Sequence, residues 1–92
     1  MERELDDQRH ELFRTLTLRW HYALALYLDT GATLDDLREA VATLDETVRI
    51  ARRVLGGAHP TTTGIEKALR QARAILRARE TGGARETVST AN

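Results

Sequence analysis

The sequence predicts an all-α fold of three antiparallel helices. Three observations carry this. Apolar residues recur at helical spacing in three separate stretches, Gly and Pro interrupt the pattern between them, and no segment shows strand alternation. Short links between such helices make neighbours antiparallel, which sets an up-down-up order.

The first helix is expected over about residues 8–29. Leu12, Leu16, Trp20, Ala23 and Tyr27 follow one another at spacings of 4, 4, 3 and 4, one face of a helix, and Phe13, Leu24 and Leu28 widen it. The unbroken apolar run 23–28 suggests burial on more than one side. Gly31 is placed to end the helix in a left-handed conformation, and residues 1–7 form an extension, read as an extra turn or a frayed end.

The second helix is expected from Thr33, which can accept a backbone hydrogen bond as N-cap, with Asp35, Asp36 and Glu39 near the positive end of the helix dipole. Leu37, Val41, Leu44, Val48, Ala51 and Leu55 form the seam, flanked by Ala40, Thr47, Ile50 and Val54. Arg49, Arg52 and Arg53 suit its C-terminal turns, and Gly56-Gly57 stops it.

The third helix begins either at Pro60, whose ring suits a first helical position, or at Thr63, where Thr63-Gly64-Ile65-Glu66 has the form of a capping box. Ile65, Leu69, Ala72 and Leu76 make its apolar stripe, with Ala68 and Ile75 beside it, and Gly82-Gly83 is the expected stop. The domain then spans 8–81, and the polar residues 82–92 read as a disordered tail.

Leu18, Tyr22, Ala25 and Leu28 recur as Ile65, Leu69, Ala72 and Ile75, each 47 residues on. An offset of this size is the mark of stacked helix pairs. Together with Val54-Leu55-Gly56-Gly57-Ala58-His59-Pro60, it resembles the tetratricopeptide repeats of kinesin light chains, in which a helix ends in V-L-G-x-x-H-P and the next begins at the Pro. Leu26-Tyr27 with Gly31 looks like the end of a first repeat helix. Leu37, Glu39 and Ala40 look like the start of a second, and Thr61 to Leu76 like the first helix of a following repeat. The likeness covers roughly residues 15–78, about one and a half repeats. It implies a helical hairpin plus one additional helix, and a protein-binding role. Where the family's first helices carry a paired Asn that often contributes to peptide binding, this chain has Tyr22 and Ala68.

Repeats of this kind cannot bury their own faces, and three or more are normally stacked for stability. With both ends expected to be open, the chain is expected to cover its faces by self-association or by docking on a larger partner. A closed three-helix bundle, with the third helix folded back over the core, is the competing arrangement. A small structural subunit of a larger complex is the second functional class.

Chemistry finds little support in the residues. Cysteine is absent, which removes disulfides and thiolate sites. Ser89 is the lone serine. His10, His21 and His59 lack a ligand spacing, and His59 is expected to make a local hydrogen bond at the third helix's start. Asp35/Asp36 and Asp45/Glu46 are sequence neighbours that point to different sides of a helix. The Gly-Gly pairs lack phosphate-loop spacing. No enzyme activity, metal or cofactor is expected.

Net charge is zero but segregated. Residues 1–48 carry 11 acidic and 5 basic side chains, and residues 49–79 carry 8 basic and 1 acidic. The halves can neutralise each other within the fold, stack on a copy, or attract an anionic partner. Lys67, Arg70, Arg73 and Arg77 form a basic stripe on the third helix, read first as a solvated face and second as a site for an acidic protein motif. Nucleic acid ranks last, because every aromatic residue precedes residue 28 and no stacking platform accompanies the stripe. Trp20 and Tyr22 are candidate interface anchors, with core filling as the alternative for Trp20. The acidic N-terminal stretch is expected to be neither a secretory nor an organellar signal, no apolar run suits a membrane span, and cytoplasmic residence is the expectation.

Overall fold

A computed structural model of the chain describes the backbone of residues 2–91 and the side chains of residues 7–82. The elements are three helices, α1 (Glu2–Leu28), α2 (Leu34–Val54) and α3 (Pro60–Ala91). The fold is all-α. α2 packs extensively on both neighbours, while α1 and α3 meet along one edge only.

Side-chain pairs fix the directions. Between α1 and α2, Arg19 meets Glu46 and Tyr22 meets Glu39, so one helix climbs as the other descends. Between α2 and α3, Arg52 meets Glu66, Asp45 meets Arg73 and Arg38 meets Glu80, an antiparallel ladder in a single register. The rings of Phe13 and His59 lie 6.4 Å apart, Trp20 packs on Gly64, and the Tyr27 hydroxyl donates to Gln71 Oε1 at 3.1 Å. α1 and α3 therefore run parallel.

The core is one cluster, formed by Leu16, Ala23 and Tyr27 of α1, Leu37, Ala40, Leu44, Val48 and Ala51 of α2, and Ile65, Ala68, Leu69 and Ala72 of α3, with Ala32 of the first loop. At about 100° per residue, the fully buried positions of α2 span about 100°, and the partly buried Ile50 and Val41 at the two edges widen the arc to about half of its circumference, more than the stripe that a single partner needs. Ala40 and Thr47, which flank the sequence seam, are fully buried for this reason. The Thr47 hydroxyl is satisfied by donating to the Thr43 carbonyl of its own helix.

The helix ends have local causes. α2 opens with a full capping box, in which Thr33 Oγ1 accepts from the Asp36 N–H at 3.1 Å and Asp36 Oδ2 accepts from the Thr33 N–H at 3.0 Å. It closes on Gly56, at φ 92°, whose N–H donates to the Arg52 carbonyl at 3.1 Å. α3 begins at Pro60, and His59 is its cap: Nδ1 accepts the Thr61 N–H at 3.1 Å. The Thr63 capping-box alternative does not form, since the Thr63 hydroxyl donates back to the Pro60 carbonyl and Glu66 turns to Arg52.

Gly31 does not adopt the left-handed conformation expected of it. The carboxylate of Asp29 ends α1 instead, accepting the Gly31 N–H at 2.9 Å, while the Asp29 carbonyl accepts the Ala32 N–H at 3.0 Å. α1 extends to Glu2, ahead of the expected start at residue 8, and α3 continues through Gly82-Gly83 to Ala91. Two adjacent glycines lower helix propensity without blocking the backbone bonds, whereas a proline would remove a donor. The expected fraying of residues 1–7 and disorder of the tail fall mostly on side chains outside the described residues.

The run 23–28 is not buried all round. Ala23 and Tyr27 are buried, Leu24 and Leu26 are half-buried, and Ala25 and Leu28 face outward.

Two substitution tests follow from this geometry. Gly56→Ala should lower unfolding free energy in urea by about 1–2 kcal/mol, because a Cβ is strained at that φ. Gly57→Ala, whose Cβ meets nothing within 4 Å, should be near neutral. A Cβ on Gly64 would lie 2.7 Å from Trp20 Cη2. Gly64→Ala should therefore destabilise the native chain yet stabilise the Trp20→Phe variant, where only its gain in helix propensity of about 1 kcal/mol remains.

Candidate interaction surface

The site-forming question for three stacked helices is which faces stay uncovered. α2 has no free apolar face. The two outer helices differ sharply.

On α1 the side opposite the core carries Leu18, Tyr22, Ala25 and Leu28 in a row. Leu18 is 67% exposed, Tyr22 50% and Leu28 63%. Their counterparts 47 residues on are treated in the opposite way: Ile65, Leu69 and Ala72 are buried and Ile75 half-buried in the core that α3 shares with α2. The same pattern thus fills an interface in α3 and lies open in α1, because α2 precedes α3 and no helix covers α1 from that side. Thr15 and Thr62 extend the correspondence, with Thr62 buried and donating to the Ala51 carbonyl at 3.4 Å.

On α3 the outward face is polar. Thr63, Lys67, Arg70 and Gln71 occupy the positions that in α1 hold Leu16, Trp20, Ala23 and Leu24, and all four are exposed. The expectation that both ends of the stack lie open is corrected here: α3 closes one end with a solvated face, and the open end is α1 alone. A polar outer face is what terminal units of helical stacks need to stay dispersed.

The four basic residues of α3 do not act as a set. Arg73 is drawn to α2, with Nη2 3.2 Å from Asp45 Oδ1, and Asp45 also takes Arg49 at 3.1 Å. Lys67, Arg70 and Arg77 remain exposed, without an ion pair among the described residues. Part of the charge segregation is thereby neutralised inside the α2–α3 pair. These exposed pairs contribute about 0–1 kcal/mol each, and matter more for register than for stability. Arg79, unremarked by the sequence, ties α3 to the first loop by donating from Nη1 to the Ala32 carbonyl at 2.9 Å.

The two aromatic candidates separate. Trp20 packs into the core edge against Gly64, and its enclosed Nε1 finds no acceptor among the described residues, so packing holds the ring. Tyr22 points outward and donates its hydroxyl to Glu39 Oε2 at 3.1 Å. That hydrogen bond is the main cause holding the Tyr22 phenol above its usual pKa of 10.0, with desolvation and the charges of Glu39 and Asp36 acting the same way. Burial pushes the Tyr27 phenol up as well.

Among the described residues, no group of three His, Asp or Glu is placed to hold a metal, and no helix is long and apolar enough to cross a membrane. Concavities among the described residues are open grooves, one of about 380 Å³ running along Ala74, Arg77, Ala78, Thr81 and Gly82. No family model, curated protein or solved structure matches the chain.

Both tyrosines favour their neutral forms in the fold. The stability they contribute is complete below about pH 10 and is lost as the pH rises through the higher folded values. The urea midpoint should therefore be insensitive to tyrosine ionisation up to that range and fall above it. Tyr27→Phe should flatten much of the fall, Tyr22→Phe little, because Tyr22 is solvent-exposed.

Proposed function

We propose that this chain is a non-catalytic protein-interaction module of tetratricopeptide type, which works by presenting the outer face of α1 to another helix. The observation that carries the reading is the apolar row Leu18, Tyr22, Ala25 and Leu28, exposed on α1 while its counterpart in α3 is buried. A row of large apolar side chains in water is a standing driving force for association, worth about 25 cal/mol for each Å² covered.

The tetratricopeptide assignment draws support from the helix–turn–helix order, the antiparallel α1–α2 hairpin and the parallel placement of α1 and α3. It also draws on the V-L-G-x-x-H-P turn, where Gly56 takes the left-handed conformation and His59 caps the next helix. The resulting module resembles kinesin light chain repeats in local design. Its partner surface is the open end of the stack, and Tyr22 is the aromatic anchor on it. Lys67, Arg70 and Arg77 serve as the solvated far end. Association through apolar surface makes the complex tolerant of salt, in contrast to binding of nucleic acid through the basic face.

Replacing Leu18 by Glu places a charge on the most exposed apolar side chain of the row. Light scattering should show native chains heavier than a monomer at high concentration and Leu18→Glu chains at monomer mass, with helicity by circular dichroism unchanged. Arg70→Glu, on the far end, should leave the native mass unaltered. Equal masses for native and Leu18→Glu chains would sink the assignment of this face.

A further inference from the structure

We propose that the occupant of the α1 face is α1 of a second copy, running antiparallel about a two-fold axis near residues 21 and 22. This rests on the self-association form of the reading above.

The choice of occupant follows from what a copy has to offer. Its α2 is buried against two neighbours and has no apolar side left. Its α3 presents Thr63, Lys67, Arg70 and Gln71 outward. Setting Leu18 and Leu28 on those groups would strip water from Lys67 and Arg70 without giving them partners, and would also build an open filament rather than a closed pair. Among the described residues the α1 row carries the three most exposed large apolar side chains, Leu18, Leu28 and Tyr22, while the less exposed Leu12 and Phe13 lie on the core-facing stripe of α1; two such rows make an isologous contact.

Charge sets the direction. At helical spacing, Glu11 and then Arg14 precede Leu18 on this face and Asp29 follows Ala25, so the charge nearest the row is a cation at one end and a carboxylate at the other. Parallel pairing would oppose Arg14 to Arg14 and Asp29 to Asp29. Antiparallel pairing about residues 21 and 22 brings each Arg14 opposite the second copy's Asp29. The same register sets Leu18 against Ala25 of the second copy, a large side chain against a small one, and Thr15 against Leu28. Tyr22 then lies beside the axis, its hydroxyl held to one side by Glu39. Among the described residues Asp29 uses only Oδ1, which accepts from the Gly31 N–H, so Oδ2 is left for this role.

Size sets the strength. From Arg14 to Asp29 the row is only about 22 Å long, so it covers less than the roughly 800 Å² per partner of a standard interface. The pair is therefore reversible on dilution.

The chain has no cysteine, so a single introduced one can be labelled cleanly. Gln8 is exposed near the start of α1. In Gln8→Cys carrying a nitroxide, the antiparallel pair sets the two labels about 40 Å apart, from the 1.5 Å rise per residue, whereas a parallel pair sets them under about 20 Å. Pulsed dipolar spectroscopy should return the long distance, and the dipolar signal should vanish in Gln8→Cys/Leu18→Glu. A short distance overturns the antiparallel geometry and leaves the self-association reading standing. A dipolar signal that survives Leu18→Glu overturns the face. Monomer mass at the labelling concentration, with no dipolar signal, overturns both this inference and self-association.

Discussion

Helix α2 gives up its water on two sides at once, and the rest of the structure follows from that. Leu37, Leu44 and Val48 with Ala40, Thr47 and Ala51, flanked by the partly buried Val41 and Ile50, make one arc broad enough for two neighbours. A helix with a narrow stripe would have paired with α1 and been finished. The wider arc requires α3, and the small residues within it let the neighbouring backbones come close. The ladder of Arg52–Glu66, Asp45–Arg73 and Arg38–Glu80 then holds α3 in one register. α1 and α3 are left with a thin edge contact, at Trp20 on Gly64 and Tyr27 on Gln71.

A stack built this way has two ends, and each end has a different surface. α1 and α3 share a pattern 47 residues apart, but they stand on opposite sides of α2 and so turn opposite faces to solvent. In α3 the shared apolar row faces inward and the outer face is rich in charge. In α1 the core is made by Leu16, Ala23 and Tyr27, and the shared row faces outward. The two ends of the stack are thus chemically unlike, with an apolar row on one and a basic, hydrated surface on the other. The proposed interaction role is a consequence of this asymmetry, since only one end has anything to gain by being covered.

Much of this was legible in the residues. Period and punctuation located the three helices, Thr33 and Gly56 were identifiable as cap and stop, and Pro60 as a helix start. Their roles depend on neighbours within a few residues. What escaped depends on tertiary placement or on competing local bonds. Ala40 and Thr47 looked like flanks, because the width of α2's buried arc is set by a third helix. Gly31 looked like a left-handed stop, because the competing carboxylate of Asp29 carries no periodic signal. Gly64 looked like part of a cap, although an isolated Gly in a helical pattern also signals close approach, here by Trp20. Leu18, Tyr22 and Leu28 were visible as a row, but its exposure was not, since that turns on which helix α2 places beside it.

The central claim is that α1 is the open end and α3 the closed one. Amide hydrogen exchange followed by mass spectrometry at low and high protein concentration tests it without altering a residue. The account predicts that added protection at high concentration is confined to peptides spanning residues 14–29, with those of residues 62–79 unchanged. Added protection centred on α3, or none anywhere at concentrations where the mass shows association, would contradict it.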